Sequence, residues 1–306
     1  MILRILSLTA VLITSPLTVF AQTDLSYAPT FEQGEVTKSE VEMDIDQTLN
    51  IAGMDIVTAV DNYIVIKQTV ESATSGQVKM LGNLELMQMN MELPGGVSLN
   101  FDTGNPNNAV PDGPLADIAK YIAVAAESTW EITYGDNHEV KSAKYTNDSN
   151  QDLPEAFSEE MSDDRLKKET ETAINRLPKE PVAVGDTWER NEEAYLGSGQ
   201  VFYLVREYTY VGPEQHNGKS MDKIDVKTKS LTFEISGGKL PLELKDSELE
   251  VESSGGTLWY DPAIKDVVES SSDMHIVGDL TFIANGQELP SSLDLVMKVG
   301  TKQNRQ

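Results

Sequence analysis

The 306 residues contain no cysteine. That excludes disulfides, thiolate metal sites and a lipid anchor on an N-terminal cysteine. Histidine is scarce as well, with only His138, His216 and His275. No G-x-S-x-G elbow and no H-E-x-x-H helix accompanies them. The three sit in or near turns or on a strand's polar face, so hydrolytic chemistry is not expected. Carboxylates are too numerous for any chosen pair to point to a glycosidase.

Basic side chains are few: 24 Lys and Arg stand against 50 Asp and Glu, a net charge of −26. Nucleic-acid binding runs on clustered Lys and Arg, and the field of this chain repels phosphate and anionic membrane surfaces alike. The acidity reads as a solubility device. A cation such as calcium is the sharper alternative.

Long apolar runs are also lacking, with one exception. Ile5–Phe20 follows Arg4, and Val19 and Ala21 occupy the small-residue positions of a cleavage site. This is the pattern of an export signal cut after Ala21, too short and too weakly flanked to span a membrane. The expectation is an exported protein of the periplasm or the extracellular space, stabilised by core burial alone.

What the chain does have is alternation. In "EVEMDIDQTLNI" (40–51) Val41, Met43, Ile45, Leu49 and Ile51 share one face, while Glu40, Glu42, Asp44 and Asp46 share the other. That is a strand with one dry and one acidic side. Further strands are expected at 56–70, 76–93 and from 97, with a bulge near Leu86–Met87 where the apolar parity slips. A helix over 114–126 carries Leu115, Ile118, Ile122 and Ala126 on one stripe. Residues 162–176 predict a second helix with Leu166, Thr170, Ala173 and Ile174 inward. Strands follow at about 186–194, 200–211, 221–235, 246–252, 256–260, 264–283 and 291–301. "GPEQHNGKS" reads as a loop, and Asn285–Gly286 as a hairpin turn. This divides the chain into an N-terminal β-rich half (22–146), a helical bridge (147–181) and a C-terminal β-rich half (182–306).

"ELMQMNMELPGGVSLNFDT" followed by an amphipathic helix, and later "LPKEPVAVGDTW" (177–188), resemble an uncharacterised family of exported bacterial proteins with "PGG…D" and "LP..PV.VGD.W" elements. That resemblance implies export and no assigned activity. A long-stranded sheet with a covering helix is similar in architecture to the periplasmic lipoprotein carriers.

Met87, Met89 and Met91 alternate in "LMQMNMEL". Thioethers suit Cu(I), but Met also fills irregular apolar space, and no third soft ligand lies near in sequence. Asp102, Asn105 and Asp112 offer hard oxygen donors for calcium, in a segment whose Asn, Asp and Gly also simply make turns. No cofactor is expected.

The reading is an α+β, mostly antiparallel β fold. Strands longer than the ordinary 3–10 residues curl into one or two half-barrel-like sheets, with the 114–126 helix covering one mouth. Met43, Ile45, Met80, Met87, Met89, Met91, Ile118 and Ile122 are the expected lining of an apolar cavity. The expected function is non-catalytic binding of a lipid or acyl chain. A structural or interaction module of the cell envelope, calcium-stabilised at Asp102, Asn105 and Asp112, and Cu(I) binding at the methionine run are the alternatives. Protein partners are not indicated.

Overall fold

The computed structural model describes residues 22–105, 115–147, 153, 157, 159–197, 199–235 and 242–306. The expected export signal and Asp112 lie outside these residues. Among them are twelve strands and two helices. The order is β1 (Val36–Ile51), β2 (Met54–Thr74), β3 (Gln77–Leu93), β4 (Val97–Asp102), α1 (Ala116–Ala126), β5 (Thr129–Gly135), β6 (Val140–Tyr145), α2 (Asp163–Asn175), β7 (Thr187–Gly197), β8 (Gln200–His216), β9 (Lys219–Ile235), β10 (Glu243–Asp261), β11 (Asp266–Ala284) and β12 (Gln287–Arg305).

All twelve strands join one antiparallel sheet in the order β6-β5-β3-β2-β1-β12-β11-β10-β9-β8-β7, with β4 beside the end of β3. This corrects the expected α+β class. The molecule is nearly all β, and its helices are two isolated pieces lying on the sheet rather than a layer of their own. The expected halves share that sheet, because β1 pairs with β12 along almost its whole length, Thr37 facing Arg305 and Ile51 facing Ser291.

The strands are long because tight turns connect them without interrupting the alternation. Ala52–Gly53, Asn217–Gly218 and Asn285–Gly286 all have positive φ at both residues, the geometry that two-residue hairpins require. "GPEQHNGKS" is therefore a hairpin and not a loop, with β8 running to His216 and β9 starting at Lys219. The expected strands at 246–252 and 256–260 are one strand, β10. Register shifts at Leu244/Asp246, Val251/Ser253 and Trp259/Tyr260 hide its alternation. Gly256 lets β10 press against β11, since a Cβ there would lie 2.4 Å from the Ser271 carbonyl oxygen. In β3 the pairing skips Glu85, close to the expected bulge.

Parity divides the sheet into two faces. On β1, Glu42, Asp44 and Asp46 are exposed while Met43 and Ile45 are half-buried. The β8–β9 wing of the sheet folds over the inner face toward β11 and β12. Phe202, Leu204 and Phe233 from β8 and β9 thereby pack against Ile276, Leu280, Phe282 and Leu295 from β11 and β12. Three more apolar clusters surround this one: one around Tyr208, Tyr210 and Tyr260, one around Trp130, Ile132 and Tyr134, and one beneath α1. The first two are tied together by residues 23–31, which cross the end of the sheet. Leu25 is buried in one and Phe31 in the other, and the Ser26 carbonyl accepts from Tyr260 Oη at 2.8 Å.

Candidate functional site: a trough on the inner face

Between the clusters the inner face is incompletely filled. A cavity of about 290 Å³ is lined by Met43 and Ile45 of β1, Met274 of β11, Met297 and Val299 of β12, and Arg206 and Tyr208 of β8, among others. A second, of about 380 Å³, is lined by Thr37, Ser39 and Val41 of β1, Met80 of β3, and Gln303 and Arg305 of β12. The two share Arg176, Leu258, Ser270 and Thr301 in their walls. They form one trough along the inner rows of β1 and β12.

The trough is graded. Along β12 its wall passes from Arg305 and Gln303 through Thr301 to Val299 and Met297. Along β1 it passes from Thr37 and Ser39 through Val41 to Met43 and Ile45. At the polar end Arg305 Nη2 lies 2.8 Å from Asp266 Oδ2, Gln303 donates to the same oxygen at 3.2 Å, and the guanidinium stands 5.0 Å over the Phe31 ring. Burial raises the Asp266 pKa above the ordinary carboxylate value, and Arg305 opposes that rise.

α2 borders the second cavity and not the first. Ser162 caps its first turn, accepting from Arg165 N, as an N-cap serine does. Its far end is gripped by Arg190, which donates to the carbonyls of Asn175 at 2.6 Å and Leu177 at 2.8 Å, a cation where the helix dipole is negative. Leu166, Thr170, Ala173 and Ile174 all face the trough, yet no residue of α2 is buried. The helix edges this space without filling it.

The 114–126 helix occupies a different place from the one expected. It lies over β3 and β4, and none of its residues lines either cavity. Of the expected lining, Met43 and Ile45 stand in the first cavity and Met80 in the second. Met87, Met89, Met91, Ile118 and Ile122 are packed together under α1 with Leu99 and Leu115. Asp102 Oδ2 accepts from Gln88 at 3.1 Å and its Oδ1 from Gly104 N at 2.8 Å, while Asn105 N donates to the Asp102 carbonyl at 2.9 Å. The Gly104 and Asn105 bonds are turn contacts, and the Gln88 bond joins β3 to β4. Among the described residues no group of three or more His, Asp or Glu could hold a metal ion.

Sequence reasoning missed two arginines. Arg206 lies in the row Phe202, Leu204, Arg206, Tyr208, Tyr210, every other member of which is buried. A lone cation in an apolar strand row was a readable signal. Arg176, just past α2, had none. Both approach Glu192 Oε2, Arg176 Nε at 3.6 Å and Arg206 Nη1 at 3.8 Å. The Tyr208 hydroxyl donates to the other oxygen of Glu192. Burial, followed by the charge of Glu192, pushes the Tyr208 pKa well up, so the phenol stays protonated and remains a donor.

A sequence profile of a family of unknown function (DUF6263) matches residues 131–217. It contains the "LP..PV.VGD.W" element but not "PGG…D". No curated protein matches the chain. Among solved structures, lipovitellin, described for its lipid–protein interactions, is 10% identical with a TM-score of 0.45. The match covers 90% of this chain and 26% of lipovitellin, so the chain spans about a quarter of that protein. An exported protein of YmcC-like fold from Bacteroides fragilis is 12% identical over 88% of this chain and 97% of its own, with a TM-score of 0.22. A DUF1329 family protein from Desulfovibrio piger is 8% identical over 86% and 85%, with a TM-score of 0.13. No helix among the described residues is long and apolar enough to cross a membrane.

Proposed function

We propose that the protein is an exported, non-catalytic binder or carrier of a lipid or acyl chain, held in the trough between β1, β12, β11 and α2. The observation that carries this reading is the unfilled space itself. Protein interiors are normally packed to crystal density, and an apolar helix face set over apolar strands would ordinarily close down on them. Here Leu166 and Ile174 of α2 stay half-buried against the Trp130–Ile132 cluster, and the two joined cavities, about 290 and 380 Å³, together fall within the range for small-molecule pockets, about 300–1,000 Å³.

The test is native mass spectrometry and solvent extraction of protein purified without detergent. A copurifying lipid mass is expected, and it should be lost in Thr301→Trp, which puts an indole where the two cavities meet. A ligand-free protein that also fails to bind a fluorescent fatty acid would overturn the reading.

A further inference from the structure

We infer that the ligand is an anionic single-chain amphiphile, its carboxylate or phosphate head set against Arg206 and Arg176 and its tail running along Met43, Met274 and Met297. This rests on the lipid reading above and adds the charge of the head.

Three observations support it. First, the cavity of about 290 Å³ has two arginines in its wall and no acidic residue, in a chain of net charge −26. Second, the two guanidiniums share a single carboxylate, Glu192, at 3.6 and 3.8 Å, and that carboxylate also accepts from Tyr208. Arg206, 13% exposed, therefore divides Glu192 with the one-third exposed Arg176, beside an apolar space where a cation is costly to bury unless an anion answers it. Third, the Nε of Arg206 is buried without a hydrogen-bond partner, as is that of Arg305 in the second cavity, while the Nε of Arg176 faces Glu192. Buried donors in native proteins are nearly always satisfied, and a planar guanidinium suits a carboxylate or phosphate. Ser270, Ser272 and Thr301 line the same space and offer hydroxyl donors. Past them the wall is Met43, Met274, Met297 and Val299, flexible apolar side chains that fit a chain of variable shape.

The experiment compares oleate with oleyl alcohol, which share a tail and differ in head-group charge, by calorimetry on delipidated protein. Oleate should bind at least about tenfold more tightly, the order expected of a charge-assisted hydrogen bond. Oleyl phosphate as a third ligand separates the two anions, and a preference for either over the alcohol supports the inference. Arg206→Gln and Arg176→Gln should each shrink the preference for the anions over the alcohol. Lys227→Gln, on an exposed part of β9, should leave it intact. Equal binding of acid and alcohol overturns the anionic head while sparing the lipid reading. A preference that survives both arginine substitutions overturns the site. Binding of none of the three ligands overturns both.

Discussion

Two helices lie on the same face of one sheet, and they are seated differently. Under α1, Ile122, Ala119 and Leu115 are 0%, 1% and 2% exposed, locked against Met87 and Leu99. Under α2 no side chain is buried, although Leu166 and Ile174 point the same way. Local sequence explains part of the contrast: α1 reads ADIAKYIAVAA, apolar on most sides, and α2 reads DDRLKKETETAIN, with only Leu166, Ala173 and Ile174 apolar. What lies beneath explains the rest. The inner row of β3 offers α1 a bed of methionines, which flow into gaps. α2 sets Leu166 and Ile174 against Met80, Trp130 and Ile132, but the space beside them is walled by Thr37, Ser39, Gln303 and Arg305, which give the rest of the helix polar neighbours.

The largest expected effect falls on the sealed helix. Ile122→Ala should lower unfolding free energy by about 2–5 kcal/mol, the range for emptying a packed site, whereas Ile174→Ala should cost under about 1 kcal/mol. Urea titration of both would show it, and equal losses would erase the distinction between the helices. Next in size is the grip on α2. Arg190→Met removes the donors to Asn175 and Leu177 and should cost about 1–3 kcal/mol. Hydrogen exchange should quicken in α2 and stay unchanged in α1.

A third effect concerns alkaline pH. Burial, followed by the hydrogen bond to Asp222, raises the Tyr210 pKa to about 12, against about 10 for a free phenol. Its contribution to stability is complete below pH 10 and is lost as pH rises toward 12, because the unfolded phenol ionises first. Tyr210→Phe should therefore flatten the fall in melting temperature between pH 10 and 12. The smallest stability change is expected within the trough. Ser272→Leu adds bulk to unfilled space and should shift stability by less than about 1 kcal/mol, while displacing whatever copurifies. A large loss there would mean that the space is closed.

The strands were largely legible. Alternation in "EVEMDIDQTLNI" marks both faces of β1 correctly, and the inward residues of α2 follow from the 3.6-residue period. Period tells which side of a helix is oily but not what that side meets, so α1 is expected at the cavity, which α2 borders instead. β10 reads as two strands because the shift at Val251/Ser253 and the Gly255–Gly256 pair break its parity where the strand continues. The pairing of β1 with β12 left no local mark at all, since nothing near Val41 or Thr301 names its neighbour. Arg206 is legible by parity in "VFYLVREYTYVG", a lone cation in an apolar row.

That middle pairing also bears on how the chain assembles. Bringing β1 to β12 closes a very long loop, and sheets dominated by such distant contacts form slowly. Hairpins on either side can arise early, each with a bare oily row and an unmatched edge, the combination that invites clumping. Glu42, Asp44 and Asp46 then stand on the back of the waiting strand, and like charges keep such half-made chains apart. Neutralising these three should leave the finished sheet unchanged but cloud a concentrated refolding mixture, read as light scattering.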